Sequence, residues 1–144
     1  VQTKNSIKSL LWDDSTRCVF ACSYNSSVIE AWDIRAQKCV RKFLGHSQGV
    51  NSLTNHFGYL CSGSSDGTVR LWDFGTGICQ NIIRSHSGPV NSVSTVQLQD
   101  GRMERLLCSG SSDDEIHLFR NATLPNNETL STKLHCPASV MYTI

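Results

Sequence analysis

The 144-residue sequence has no long apolar run: no stretch approaches the roughly eighteen residues that a membrane-crossing helix needs. It has almost no charge of either sign to spare. Thirteen Lys and Arg face twelve Asp and Glu, for a formal net charge of +1, and there is no polybasic arm. That balance disfavours a dedicated nucleic-acid binder, so neither direct nucleic-acid contact nor membrane contact is expected. No Cys-x-x-Cys pair is present, which removes the zinc-ribbon and zinc-finger patterns. The five histidines (His46, His56, His86, His117 and His135) include no pair at helical i,i+4 spacing. A phosphate-binding loop, a dinucleotide fingerprint, a Gly-x-Ser-x-Gly elbow and paired catalytic carboxylates are all missing. These absences argue for no metal, no cofactor and no enzyme.

About 39% of the residues are hydrophobic, enough to build a core. Seven cysteines are many for this length, and an odd number cannot pair completely. Cys18, Cys22, Cys61, Cys79 and Cys108 sit in apolar, strand-like contexts, where a free thiol behaves as a small hydrophobe. Buried reduced thiols, with no secretory leader at the front, point to a protein of the cytoplasm or nucleus and not a secreted one. The three Asn-x-Ser/Thr triplets, at Asn25, Asn121 and Asn127, carry no weight in that setting. The chain opens on Val1 and ends on Ile144 inside an apolar stretch, so a piece of a longer protein is expected.

An internal repeat dominates what is there. Residues 61–73 read CSGSSDGTVRLWD and residues 108–120 read CSGSSDDEIHLFR. Residues 21–33, ACSYNSSVIEAWD, align with both without a gap. Trp32 and Trp72 are 40 residues apart, as are His46 and His86; Trp72 and Phe119 are 47 apart. The segment QLQDGRMER absorbs the extra seven, between two strands on the rim opposite the histidine turns. Within a unit, short runs alternate with period two. Val69 and Leu71 share one face; Thr68, Arg70 and Trp72 share the other. Asp66-Gly67 is a tight hairpin signal. Four short strands in about 40 residues describe one blade of a propeller.

Gly45-His46, the SGSSDG stretch 62–67 and Trp72-Asp73, in that order and repeated, resemble the WD40 repeat family, also called β-transducin-like. The resemblance implies an all-β fold, a partial WD40 β-propeller of three four-stranded antiparallel blades plus the first strand of a fourth. Blade one is expected over about 6–43, blade two over 46–84, blade three over 86–135, and the fourth opens at 138–144. Trp12-Asp13 is a decoy: it follows SIKSLL, which aligns with the first strands VNSLTN and VNSVST.

The resemblance also implies a buried hydrogen-bonded tetrad in each blade: His46, Ser62, Asp66 and Trp72 in blade two, and His86, Ser109 and Asp113 in blade three. There Phe119 replaces the tryptophan and Arg120 the aspartate. Blade one keeps Trp32-Asp33, but Cys22 and Ser26 stand where Ser and Asp are expected, so it depends on apolar packing. His, Asp and Ser are also the members of a hydrolase triad. Their recurrence in a strand–hairpin–strand unit favours scaffolding over catalysis.

A fold does not name a function. The resemblance implies a non-catalytic scaffold for protein–protein interaction within an intracellular multiprotein complex. The candidate partner contacts are Ser47, Gln48, Ser65, Ser87 and Ser112 on one rim, together with Arg35. Trp32-Asp33-Ile34-Arg35 resembles the ending of substrate receptors of cullin–DDB1 ubiquitin ligases, a second reading. Ser26 and Ala31 depart from that box, and Gly75 holds the Arg position in blade two. A third reading is a WD40 module attached to an enzyme whose catalytic domain lies elsewhere. Three blades cannot close a ring. The missing blades are expected from the same parent chain, or less simply from a second copy.

Overall fold

The computed structural model describes residues 6–99, 103–120 and 129–135. They form three four-stranded antiparallel sheets, each a simple meander. The first holds β1 (Ile7–Asp13), β2 (Cys18–Ser23), β3 (Ile29–Asp33) and β4 (Lys38–Phe43). The second holds β5 (Val50–His56), β6 (Tyr59–Ser64), β7 (Val69–Asp73) and β8 (Cys79–Ile83). The third holds β9 (Val90–Gln99), β10 (Met103–Ser111), β11 (Glu115–Arg120) and β12 (Thr129–His135). This is an all-β, incomplete propeller. The strand expected over 138–144 lies outside the described residues.

The turns follow from local chemistry. Gly67 closes the β6–β7 turn at φ 79°, a conformation that costs glycine little. At the same place in blade three Asp114 takes φ 64°, which a short polar side chain tolerates. Asp66 Oδ1 accepts the Thr68 N–H at 2.9 Å, and Asp113 Oδ1 accepts the Glu115 N–H at 3.1 Å. In blade one Ser26 does the same more weakly, accepting from Val28 N at 3.2 Å.

Period-two alternation gives each sheet two apolar faces, and blades bury them pairwise. Between blades one and two lie Phe20, Ile29, Ala31 and Phe43 from one side and Leu53, Leu60, Trp72 and Phe74 from the other. Phe20–Phe43, Phe20–Phe74 and Phe43–Trp72 all meet edge to face. Each such pair contributes about 0.5–1.5 kcal/mol beyond its buried area. Between blades two and three lie Cys61, Val69, Leu71 and Ile83 against Val90, Val93, Leu107 and Phe119. Serines on the inner strands stitch the seams. Ser9 Oγ accepts from Leu53 N at 3.3 Å, and Ser52 Oγ accepts from Val93 N at 3.2 Å. Gly49 lies so close to the Tyr24 carbonyl that no side chain fits there.

The register corrects one alignment. Val19 faces Trp32 and Ala21 faces Glu30, while Leu60 faces Trp72 and Ser62 faces Arg70. Ala21, not Cys22, therefore occupies the place of Ser62. The reason is a longer turn: residues 24–28 join β2 to β3, where 65–68 join β6 to β7. The gapless superposition of 21–33 shifts β2 by one residue, and a one-residue shift exchanges the faces. Cys22 consequently packs into the core against blade two.

The QLQDGRMER segment lengthens the β9–β10 hairpin. Gln97 pairs with Arg105, Leu98 with Glu104 and Gln99 with Met103. The arm leans on blade two, where the Arg105 guanidinium lies 5.6 Å from the Phe57 ring centre and Thr95 Oγ1 donates to Asn55 O at 2.9 Å.

Candidate functional site

In blade two, the loop before β5, strand β6, the β6–β7 turn and strand β7 bring four side chains together. His46 Nδ1 lies 2.8 Å from Asp66 Oδ2, and His46 Nε2 lies 2.8 Å from Ser62 Oγ. Trp72 Nε1 donates to Ser62 Oγ at 2.8 Å. A carboxylate only accepts, so Nδ1 carries the proton and Nε2 accepts from the Ser62 hydroxyl. Every polar atom of the chain of bonds is satisfied, which makes the network tolerable inside a core.

Asp66 also accepts from Ser47 N at 3.1 Å and from Thr68 Oγ1 at 2.6 Å. Burial pushes its carboxyl up, but the bonds from Thr68 and His46 outweigh burial and hold it at about 2. Burial depresses the His46 imidazole; Asp66 opposes this, and the charge of Arg70 adds to it. Sequence reasoning missed Thr68 and Asn51. Asn51 Nδ2 donates to Ser65 Oγ at 3.1 Å and to Val90 O at 2.8 Å, tying this rim to the next blade. The signal was available: Asn91 repeats Asn51 forty residues on and donates to Ser112 Oγ at 2.9 Å.

The hydrolase reading fails on accessibility. Ser62 is fully buried, and its oxygen already accepts the Trp72 N–H. A nucleophile must present its oxygen to a substrate. Among the described residues no group of three or more His, Cys, Asp or Glu side chains is placed to hold a metal. The six described cysteines are free thiols; Cys18, Cys22 and Cys61 are buried and Cys39, Cys79 and Cys108 half-buried.

In blade three, His86 Nδ1 lies 2.9 Å from Asp113 Oδ2 and His86 Nε2 lies 2.7 Å from Ser109 Oγ. Phe119 has no N–H, so this chain of bonds ends at Ser109. Burial favours protonation of the Asp113 carboxyl, yet the bonds from His86 and the Ser87 and Glu115 amides hold it well below the usual carboxylate range. In blade one Trp32 Nε1 is buried without a partner, because Ala21 offers no hydroxyl where Ser62 would.

The rim candidates separate. Ser47, Gln48, Ser87 and Ser112 are exposed, and the Ser47 and Ser87 backbones are fixed by their N–H bonds to Asp66 and Asp113. Ser65 is half-buried, and its hydroxyl accepts from Asn51. Arg35 is exposed on the opposite rim, beside a depression of about 460 Å³ lined by Trp12, Asp14, Arg17, Ile34 and Arg35 itself.

The family model described as "WD domain, G-beta repeat" matches residues 37–73 and 77–120. The chain belongs to the WD40 family. Among curated relatives it is 32% identical over 117 residues to the "DENN domain and WD repeat-containing protein SCD1" of Arabidopsis thaliana. That alignment covers 81% of this chain and 9% of the relative. It is 28% identical to "Protein SPA1-RELATED 3" of the same plant, over 85% of this chain and 14% of that protein. It is 35% identical to "Polycomb protein esc" of Musca domestica, over 58% and 20%. This WD40 chain therefore spans a small part of the relatives it matches.

Proposed function

We propose that this WD40 chain is part of a non-catalytic scaffold that holds protein partners within an intracellular multiprotein complex. The observation that carries the reading is the rim of blades two and three. Buried His–Asp networks fix the backbone of the turns before β5 and β9, the side chains of Ser47, Gln48 and Ser87 project from them into solvent, and Ser112 is exposed on the β10–β11 turn beside them. A rigid backbone lowers the ordering cost of binding, and small polar side chains suit a flat protein surface better than a deep pocket. The free face of blade one supports the further reading that more blades of the parent chain complete the ring. Leu10, Val19, Trp32 and Ile34 line an apolar depression of about 480 Å³ there. By the repeat, Ile34 stands where Phe74 packs across the seam onto Phe20.

The test is affinity capture on the intact protein with the rim triple variant Ser47→Glu, Gln48→Glu, Ser87→Glu. Loss of stably captured subunits, with an unchanged melting temperature, is the expected outcome. Full retention of every subunit refutes the rim as the contact surface.

Arg35 favours the ligase-receptor reading by one observation: its side chain is exposed and makes no ion pair among the described residues, although its backbone N–H is fixed to Asp33 Oδ1 at 2.8 Å. Arg35→Ala separates the two readings. The ligase reading requires loss of an adaptor while the other subunits stay; no change in any subunit removes Arg35 as an anchor.

A further inference from the structure

Blade three departs from blade two at three neighbouring places. Phe119 stands where Trp72 does, His117 where Arg70 does, and Ser85 where Gly45 does. The last two replacements are neighbours. A Cβ on Gly45 would come within 2.5 Å of Arg70 Nη1 and 3.1 Å of the Trp72 ring, so the guanidinium would have to shift to admit one. His117 is shorter, and a serine fits. Its ring stacks on His86 with centres 3.9 Å apart and planes 11° apart, and both imidazoles are fully buried. One seam therefore carries a guanidinium, a cation across the whole physiological pH range, where the next carries a pair of imidazoles.

We propose that the stacked His86–His117 pair is a proton-responsive joint at the seam of blades two and three, with His86 as the group that takes up the proton and the stacked His117 ring as its brake. Each ring has its own carboxylate. His86 Nδ1 bonds Asp113, and His117 Nε2 lies 2.7 Å from Glu115 Oε2. The Asp113 carboxylate favours a proton on His86, and the His117 ring stacked at 3.9 Å opposes it. The joint also has room for the proton in its hydrogen bonds. In blade two, Ser62 must accept from Trp72, so its hydrogen is committed to His46 Nε2. In blade three no indole N–H competes, and the Ser109 hydroxyl is free to turn and accept from a protonated His86 Nε2. Among the described residues, Lys133 of β12 lies 3.3 Å from Glu115, and Arg84 is exposed two residues before His86 in the same loop. From blade two, Gly67 faces the His86 and Gly88 carbonyls, while Asp66 of the same turn is bonded to His46. Because Asp113 also holds the Ser87 N–H, a proton here reduces the negative charge directly beneath the rim.

Burial depresses the His86 imidazole, Asp113 raises it, and His117 depresses it further. The test is residue-resolved histidine C2-hydrogen exchange, read by mass spectrometry across pH on the intact protein. Two variants are compared with the wild type. His117→Gln removes the second ring, and the His86 midpoint should rise. Ser85→Gly with His117→Arg rebuilds the pair found in blade two, and the His86 midpoint should fall below that of the wild type. The double variant uses side chains the fold already accommodates, so it reports even where His117→Gln fails to fold. An His86 midpoint that is the same in the wild type and the double variant, or higher in the double variant, overturns the proposal.

Discussion

At the residue scale, Asp66 does more than its neighbours. His46 Nδ1, the Ser47 and Thr68 amides and the Thr68 hydroxyl all bond to its two oxygens. Asp66→Ala strands those donors in a site that is largely closed to water. We expect a loss of about 1–3 kcal/mol, measured as the shift in a denaturation midpoint of the intact protein. A loss below about 0.5 kcal/mol would mean that the bonds are replaceable by water. Much of this site was legible in the sequence, because polar residues recurring at fixed offsets are needed only if they meet. Thr68 and Asn51 were not, since threonine and asparagine beside a turn have many ordinary uses. Ser9 and Ser52 were aligned with each other by sequence, but their bonds to the next inner strand depend on seam geometry that one strand does not reveal.

At the element scale, the informative departure is β2. Its nearly continuous apolar run, Cys18-Val19-Phe20-Ala21-Cys22, fits either face, so the pattern alone did not fix the register. The extra turn residue decided it. This makes two conservative changes behave oppositely. Ala21→Ser places a hydroxyl opposite the unpartnered Trp32 N–H and should stabilise blade one by about 0.5–1.5 kcal/mol. Cys22→Ser places a hydroxyl in the apolar seam with Phe20 and Leu53 and should destabilise by about 1–3 kcal/mol. Hydrogen exchange of the β2 and β3 amides, compared between the variants, reads both signs. The gapless alignment predicts the reverse order, so the experiment distinguishes the registers. The β9–β10 arm teaches a related point. Its extra residues were visible as an insertion between two strands, and backbone pairing out to Arg105 with the contacts of Arg105 and Thr95 on blade two shows that they extend those strands.

At the scale of the whole molecule, three buried histidines give stability one direction of pH dependence. His46 and His86 are depressed by burial despite their aspartates, and His56, buried at the β5–β6 turn near Arg105, is depressed to about 4. In the unfolded chain each titrates near its ordinary value of about 6.5. Between the unfolded and folded values the unfolded chain binds more protons, so stability falls as pH falls. The loss begins near the ordinary histidine value and continues to about 4 for His56. Asp66 then extends it, because its folded carboxylate, held at about 2, is lost only as pH falls from the ordinary value of 3.8 toward that number. Stability should be level from the histidine range to about pH 8; above the ordinary thiol value of 9.0 it falls, because burial pushes the Cys22 thiol up to about 11. Chemical denaturation of the intact protein between about pH 7.5 and about pH 4.5 should show a steadily falling midpoint. His56→Gln should lower the slope of that curve from the ordinary histidine value down to about 4, and the slope that remains belongs to His46 and His86. A midpoint that stays constant down to about pH 4.5 would mean that these imidazoles charge in the folded state as freely as in the unfolded one, and would remove burial as the source of their shifts. A propeller whose seams rest on neutral histidines is thus built for neutral pH, and the seam in which an imidazole replaces the arginine is where acid should be felt first.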